Sequence, residues 1–149
     1  MTIYRLKDFN AIIDNAAISS VLALCMFNPT PGKIQNIAQS VYAKTQGVFY
    51  VLEVEGEVVG ILGGSRIDNT HLTIRHMAVV PHMQRKGYGT ALLDALLKEI
   101  TLQTLEAETD DDAIGFYRKM GFKTKRKEDD LLDRVRYACT LNVSDLGKY

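Results

Sequence analysis

The spacing of apolar residues along the chain predicts alternating helices and strands. The stretch "TIYRL" alternates like a short strand. From Lys7 to Met26, apolar residues recur at helical spacing, and the stretch "NPTPG" ends this pattern. Pro31 suits the first turn of a second helix, which is predicted over Gly32 to Lys44. The stretch "GVFYVLEVEGEVVGILGGSRI" then predicts two strands joined by a hairpin at Glu55-Gly56-Glu57.

The second half of the chain continues this alternation. A strand from about Leu72 to Val80 leads through Pro81 into a glycine-containing loop and a leucine-rich helix. The stretch "LQTLEAE" predicts another strand, and "DDDAIGFYRKMGF" predicts a short helix that ends at Gly121. Two last runs around the charged turn Glu128 to Asp130 predict a final hairpin. The order βααβββαβαββ indicates an α/β fold with a mixed central sheet flanked by helices.

Length and charge limit the classes of function. The 149 residues have the size of one domain, residues 1–149, and 18 Lys and Arg balance 18 Asp and Glu. Without a net positive field, binding to nucleic acid or to a membrane surface is not expected. There is no run of 18 apolar residues and no signal-peptide pattern, and Cys25 and Cys139 lack partners at metal-ligand spacing. We therefore expect a soluble cytoplasmic protein without a metal.

The loop "QRKGYG" before the leucine-rich helix has features of an anion site. Gly87 and Gly89 leave the backbone accessible, and the first amides of a helix are unpaired donors. Arg85 and Lys86 add charge, and the amide of Thr90 extends the row. A diphosphate is the expected ligand, although such loops also serve tight packing alone. The P-loop and dinucleotide patterns do not fit, because no Lys-Ser or Lys-Thr pair follows and a third glycine is missing.

Two stretches together resemble the GNAT superfamily of N-acetyltransferases. The first, "AVVPHMQRKGYGTALL", is similar to the superfamily's acetyl-coenzyme A motif, Gln/Arg-x-x-Gly-x-Gly/Ala behind a strand that ends in Val-x-Pro. The second, "ETDDDAIGFYRKMGF", is similar to the signature Asn-x-x-Ala-x-x-Phe-Tyr-x-x-x-Gly-Phe, at the expected distance downstream. The predicted element order also fits the superfamily's fold, so the resemblance covers nearly the whole chain.

This resemblance implies a binding site for acetyl-CoA. The backbone of Met77, Ala78 and Val79 would pair with the pantetheine arm as an extra strand would. Main-chain amides of the loop would hold the pyrophosphate, and the loop residues are Arg85, Lys86, Gly87, Tyr88, Gly89 and Thr90. Asp110 stands where many members have an asparagine that contacts the cofactor. Because an ionised aspartate has no side-chain donor, we expect Asp110 to cap the following helix instead.

Acetyl transfer to an amine requires a neutral amine, a stabilised carbonyl oxygen and a protonated leaving thiolate. A backbone N–H near Val79 could serve the carbonyl oxygen, because a splayed strand leaves its amides free. Tyr117 matches the family tyrosine near the sulfur, which implies a general acid, since a phenol with a pKa of about 10 is protonated at pH 7. The alternative for Tyr117 is packing beside Phe116.

No motif identifies the general base. Thr73 occupies the position where some members carry a glutamate, and its hydroxyl cannot act as a base. The candidates, in order, are Glu106, His76, Glu108 and His71. Strand alternation puts the two glutamates on one face, whereas the odd spacing of the two histidines predicts opposite faces. Each histidine has a structural alternative.

The expected function is transfer of an acetyl group from acetyl-CoA to a primary amine by direct attack in a ternary complex. The resemblance places the amine acceptor, a small molecule or a protein, between the first two helices and the final hairpin. The alternative, motivated by the missing strand glutamate, is a domain that senses acyl-CoA without turnover. Gly63-Gly64 indicates either close approach of another segment or room for the acceptor. The final hairpin would also offer an edge for a homodimer.

Overall fold

The fold is built on a mixed β-sheet. The computed structural model describes residues 1–127 and 135–146, and seven strands lie within them. Their order across the sheet is β1-β2-β3-β4-β5-β7-β6, and all neighbours are antiparallel except the parallel pair β4 and β5. The strands are β1 Thr2–Arg5, β2 Gln46–Val54, β3 Glu57–Asp68, β4 His71–Val79, β5 Thr104–Thr109, β6 Lys123–Lys127 and β7 Arg136–Asn142.

The helices cover both faces of this sheet. They are α1 Ala11–Asp14, α2 Ala16–Ala23, α3 Pro31–Asn36, α4 Tyr88–Glu99 and α5 Ile114–Lys119. The predicted alternation of strands and helices is confirmed, with differences in the first third of the chain. The predicted turn Glu128 to Asp130 lies outside the described residues. None of the helices in the described ranges is long and apolar enough to cross a membrane.

The first predicted helix is two helices, because Asn15 interrupts it. Asn15 has an extended backbone, with φ −99° and ψ 107°, and its side chain accepts hydrogen bonds from the amides of Ala17 and Ile18. This is N-capping geometry, so Asn15 ends α1 and begins α2. Apolar periodicity alone could not show the break, because both short helices bury the same kind of residue.

The second predicted helix changes its winding. Thr30 caps its start by accepting from the amide of Lys33 at 3.2 Å, and Pro31 occupies the first turn. From Ile37 to Tyr42 the chain forms a π-helical segment, in which the amide of Ala43 donates to the carbonyl of Ala38. A π-helix is rare and is frequent at functional sites. Here it brings Tyr42, which is fully buried, against the sheet.

Each face of the sheet carries its own core. Leu72 and Ile74 of β4 pack on the α4 face, where α4 contributes the leucines that its spacing predicted: Leu92, Leu93, Leu96 and Leu97. Phe49 and Ile61 pack on the opposite face, against α1, α2 and α3. Each fully buried leucine contributes about 2 kcal/mol of hydrophobic stabilisation. The two cores hold β4 between them, and β4 carries the candidate site.

Candidate active site

A cleft opens where β4 and β5 separate. The two strands pair only between His71–Thr73 and Thr104–Glu106. Beyond this point β4 continues to Val79, paired with β3 on one side but not with β5 on the other. The C-terminal part of β4 therefore presents an open edge inside the sheet.

Met77 and Val79 turn their main-chain groups toward this open edge. The amide of Val80 donates to the carbonyl of Val59 at 2.9 Å, so Ala78, two residues earlier, also faces β3, and the residues between face away. Side-chain contacts agree with this alternation, because the Met77 carbonyl accepts from Cys25 Sγ at 3.5 Å and the Val79 carbonyl accepts from Gln84 Nε2 at 2.9 Å. Met77 and Val79 thus have the main-chain orientation needed to pair with an extended ligand. The expectation that the Ala78 backbone would do the same is wrong, because its main-chain groups face β3.

A β-bulge re-aims the side chains of β4. Gly63 pairs with His76 and Gly64 with Ile74, which leaves Arg75 as an extra residue. Because of this residue, His76 points to the α1–α3 face, the face that His71 also shares. The prediction that the two histidines lie on opposite faces is therefore wrong, since strict alternation does not hold across a bulge.

The loop before α4 has two residues in the left-handed region. Arg85 has φ 64° and Gly87 has φ 84°, and α4 begins directly afterwards at Tyr88. A Cβ at Gly87 would meet no protein atom within 4 Å, whereas one at Gly89 would lie 3.1 Å from the Phe116 ring. The loop surface is open at Gly87, and the unpaired amides of the first turn of α4 lie there. This geometry fits an anionic group such as a pyrophosphate.

Tyr117 reaches the cleft from the α4 side. It lies on α5, is 6% exposed, and packs edge-to-face on Phe116 and Phe122 with centroid separations of 5.2 Å. Its hydroxyl lies 4.0 Å from the sulfur of Met77. Burial raises the pKa of Tyr117 above its ordinary value, and Cys139 adds to this effect. The phenol therefore keeps its proton at neutral pH and holds it beside β4.

Asp110 caps the turn that precedes α5 and does not cap α5 itself, which begins at Ile114 with Ala113 at its N-cap position. Its Oδ1 accepts from the amides of Asp112 and Ala113, both at 3.0 Å, and its carbonyl accepts from the amide of Ile114 at 3.1 Å. These contacts organise the turn that leads into α5 and thereby support the position of Tyr117.

Both candidate glutamates lie beside a cationic or ionisable partner. Glu106 Oε2 is 3.1 Å from His71 Nε2, and Glu108 forms an ion pair with Lys127. The alternation prediction for the two glutamates agrees with the burial pattern, since Ala107 between them is buried. The structure thus brings Glu106 and His71 together and leaves Glu108 with the edge strand β6.

His76 has a partner that the sequence did not reveal. The Tyr42 hydroxyl lies 2.6 Å from His76 Nδ1. Burial lowers the pKa of His76 to about 4, with a further contribution from the charge of Arg75. Burial also raises the pKa of Tyr42, and Cys25 adds to this effect. The imidazole is therefore neutral at pH 7.

Two glycines make room for Tyr42. A Cβ at Gly63 would lie 2.0 Å from the Tyr42 hydroxyl oxygen, and one at Gly47 would lie 2.7 Å from the Tyr42 carbonyl oxygen. Gly63 therefore serves the close approach of another segment, one of the two alternatives left open by the sequence. In the sequence, the contact of Tyr42 is indicated only by glycine inside a predicted strand. This pattern does not identify the residue that approaches the strand.

Comparisons with known proteins agree on one family. Residues 45–124, more than half of the chain, match the acetyltransferase (GNAT) domain. An N-alpha-acetyltransferase of Sulfurisphaera tokodaii is 32% identical over 97 residues, which cover 52% of this chain and 58% of that relative. The aligned region is thus less than two thirds of the relative's length.

Solved structures share the fold over most of the chain. Ard1 from Thermoplasma volcanium is 27% identical, with a TM-score of 0.68 over 95% of this chain and 97% of that chain. A GNAT family acetyltransferase from Elizabethkingia anophelis with acetyl-CoA bound is 17% identical, with the same TM-score and the same coverage. The family match over half of the chain and the shared fold lead to one conclusion: the protein belongs to the GNAT acetyltransferase family.

Proposed function

We propose that this protein transfers the acetyl group of acetyl-CoA to the α-amino group of a peptide or protein. The observation that carries the proposal is the open edge of β4, with main-chain groups of Met77 and Val79 on it and the Tyr117 hydroxyl beside it. Acetyl-CoA, when bound, supplies an acyl thioester. The residues of the chain bind it, orient it and provide a proton.

The cofactor residues act mainly through their backbone. Met77 and Val79 hydrogen-bond the pantetheine arm, while Ala78 pairs with β3 and its side chain packs against the core on the α1–α3 face. The amides of Arg85 to Thr90 hold the pyrophosphate, and the exposed side chains of Arg85 and Lys86 add charge. Asp110, already engaged in capping, holds α5 in place instead of contacting the cofactor.

Tyr117 is the general acid. The direct attack of a neutral amine expels a thiolate, which needs a proton. The Tyr117 hydroxyl is protonated at neutral pH because burial raises its pKa, and its position next to Met77 puts the proton at the edge where the thioester lies. A main-chain amide on the same open edge of β4 stabilises the negative charge that develops on the carbonyl oxygen.

The candidate general bases already have other partners, and this favours an acceptor amine that loses its proton easily, such as an α-amine. An α-amine with a pKa near 8 needs about 1 kcal/mol to lose its proton at pH 7, whereas a lysine amine with a pKa near 10.4 needs about 4.6 kcal/mol. Glu106 and Glu108 are already paired with His71 and Lys127, and His76 is turned toward Tyr42. The name of one relative, N-alpha-acetyltransferase, supports the same acceptor class.

Two matched peptides test this proposal. One carries a free N-terminus and no lysine; the other differs from it only in an acetylated N-terminus and in one internal residue that is replaced by lysine. Release of free thiol from acetyl-CoA is expected with the first peptide and not with the second. Acetylation of the lysine peptide alone, or of neither peptide, would contradict it.

Binding of acetyl-CoA without turnover would distinguish a sensing domain from an enzyme. Acetyl-CoA at 100 times its Kd is expected to raise the free energy of unfolding by about 2.7 kcal/mol, because it binds only the folded state. A rise in melting temperature without thiol release from any amine would favour the sensing alternative over the enzyme.

A further inference from the structure

The hydrogen bond between Tyr42 and His76 determines which ring nitrogen of His76 carries the proton. Tyr42 is fully buried, and within the described ranges its hydroxyl has one hydrogen-bond partner, His76 Nδ1. If Nδ1 carried the proton, the phenol O–H would be buried without an acceptor, which costs about 1–3 kcal/mol. The arrangement that satisfies both groups has the phenol donating to Nδ1, which leaves the hydrogen on Nε2.

His76 is also held neutral in this position. The charged and titratable groups around it are Arg75 on its own strand, Tyr42 on the π-helical segment and Cys25 after α2, next to Tyr42. Arg75 disfavours a second positive charge, and burial raises the pKa values of Tyr42 and Cys25, so neither supplies a negative charge near pH 7. The ring is therefore a neutral N–H donor whose acceptor nitrogen is occupied.

The free Nε2–H lies on the α1–α3 side of the sheet. His76 points to the α1–α3 face, while Tyr117, Met77 and the loop before α4 belong to the α4 side. Within residues 1–127 and 135–146, His76 Nε2 has no hydrogen-bond partner. It is not among the side-chain polar atoms of these ranges that are fully buried without such a partner. With acetyl-CoA held on the α4 side by the proposed site, the acceptor approaches from the face that carries this N–H group.

We propose that Tyr42 is a positioning residue that fixes His76 as a neutral Nε2–H donor, and that this donor binds the carbonyl oxygen next to the acceptor's α-amine. The proposal rests on peptide acetylation as the function. It assigns His76 to acceptor recognition and removes it from the candidates for the general base. Gly47 and Gly63, which make room for Tyr42, are part of the same arrangement.

Nitrogen NMR tests the tautomer without any substrate. In the ¹⁵N-labelled protein, the shifts of the two ring nitrogens of His76 are expected to identify a protonated Nε2 and an unprotonated Nδ1 throughout pH 6 to 8. His76→Gln assigns the signals. A ring protonated at Nδ1 alone, or at both nitrogens at pH 7, would overturn the proposal. This measurement is independent of turnover, so failure of the peptide assay leaves it interpretable.

Kinetics with the free α-amine peptide test the role of the donor. Tyr42→Phe and His76→Ala are expected to raise the KM for the peptide roughly fivefold to tenfold, the value of one hydrogen bond, and to leave the KM for acetyl-CoA within about twofold. His76→Gln keeps an N–H donor but no base, so it is expected to recover part of the His76→Ala defect. Equal loss of kcat in both His76 variants, with no change in the KM for the peptide, would instead assign His76 as the base.

Tyr50→Phe is the matched control for the tyrosine. Tyr50 is as buried as Tyr42, but it packs in the core on the α4 face, near Arg5 and Glu99. Loss of its hydroxyl is expected to leave both KM values unchanged. A rise in the KM for the peptide in Tyr50→Phe equal to that of Tyr42→Phe would mark the effect as general loosening of the core and would overturn the positioning role.

Discussion

At the scale of single residues, the site depends on close approaches that glycine permits. Tyr42 could not reach His76 if residue 63 had a side chain, because a Cβ there would overlap the tyrosine ring and hydroxyl. Tyr117 likewise depends on neighbours, since Phe116 and Phe122 fix its ring. The burial of Tyr42 and Tyr117 does not distinguish them from ordinary core tyrosines. Their positions are determined by the residues that surround them.

Gly63→Ala is expected to destabilise the protein by about 1–3 kcal/mol, because the new methyl group would lie 2.0 Å from the Tyr42 hydroxyl oxygen and 2.9 Å from the Phe49 ring. Urea unfolding measures the change. Gly115→Ala is the control, because a Cβ at this helical position meets nothing within 4 Å and is expected to be neutral or stabilising by up to about 1 kcal/mol. Equal stabilities of the two variants would contradict the close approach of Tyr42.

Tyr117→Phe is expected to lower kcat about 100-fold or more, because the variant has no proton for the leaving thiolate. Affinity for acetyl-CoA, measured by calorimetry, is expected to change less than about twofold, since the ring still packs. Tyr137→Phe is the control, because its hydroxyl donates to Asp111 on the exposed surface. A parallel loss of kcat and affinity in Tyr117→Phe would indicate a packing role.

At the scale of elements, β4 and the loop that follows it create the site. The parallel pairing of β4 with β5 ends at Thr73, the bulge at Arg75 turns His76 toward the α1–α3 face, and the strand leads directly to the left-handed residues before α4. The open edge, His76 and the loop before α4 are therefore features of one continuous stretch of chain. A substitution that changes the backbone path of this stretch is expected to weaken ligand binding more than it destabilises the hydrophobic cores.

Gly87→Ala is expected to weaken binding of acetyl-CoA and to destabilise the fold by about 1–2 kcal/mol, because a left-handed backbone disfavours any Cβ. Gly32→Ala is a close control, since a Cβ at either position meets no atom within 4 Å and only Gly87 has a positive φ. Calorimetry and urea unfolding measure the two effects. If both variants bind acetyl-CoA as the wild type does, the loop conformation does not serve the cofactor.

At the scale of the whole molecule, the sheet separates two hydrophobic cores, and each face carries part of the candidate site. Tyr117 and the Met77 side chain belong to the α4 face and the Tyr42–His76 pair to the α1–α3 face, and β4 lies between them. The outer strand β6 is an edge strand, as pairing in a homodimer would require, but four of its five residues are cationic. Such an edge discourages pairing between identical strands, and a homodimer stays a prediction.

Stability is expected to depend on the protonation of His76. Its pKa is about 4 in the folded protein and about 6.5 when unfolded, so between these values the unfolded chain binds the extra proton. His76 therefore contributes its full stabilising effect above pH 6.5, and this is lost as the pH falls toward 4, by at most about 3 kcal/mol. Urea unfolding at pH 7 and pH 4.5 should show a smaller pH effect in His76→Gln. Equal pH effects in the two proteins would contradict the neutral, buried ring.

The amino-acid sequence by itself determined the alternation of strands and helices, the buried leucine face of α4, the loop with its glycines, and the family, because these depend on local periodicity and short motifs. Tertiary structure alone decided the break at Asn15, the bulge at Arg75 and the partnership of Tyr42 with His76. A bulge shifts every later side chain of a strand to the other face without a signal in the apolar pattern. The contact between residues 42 and 76 depends on how three strands and a π-helical segment pack, and no local spacing encodes that.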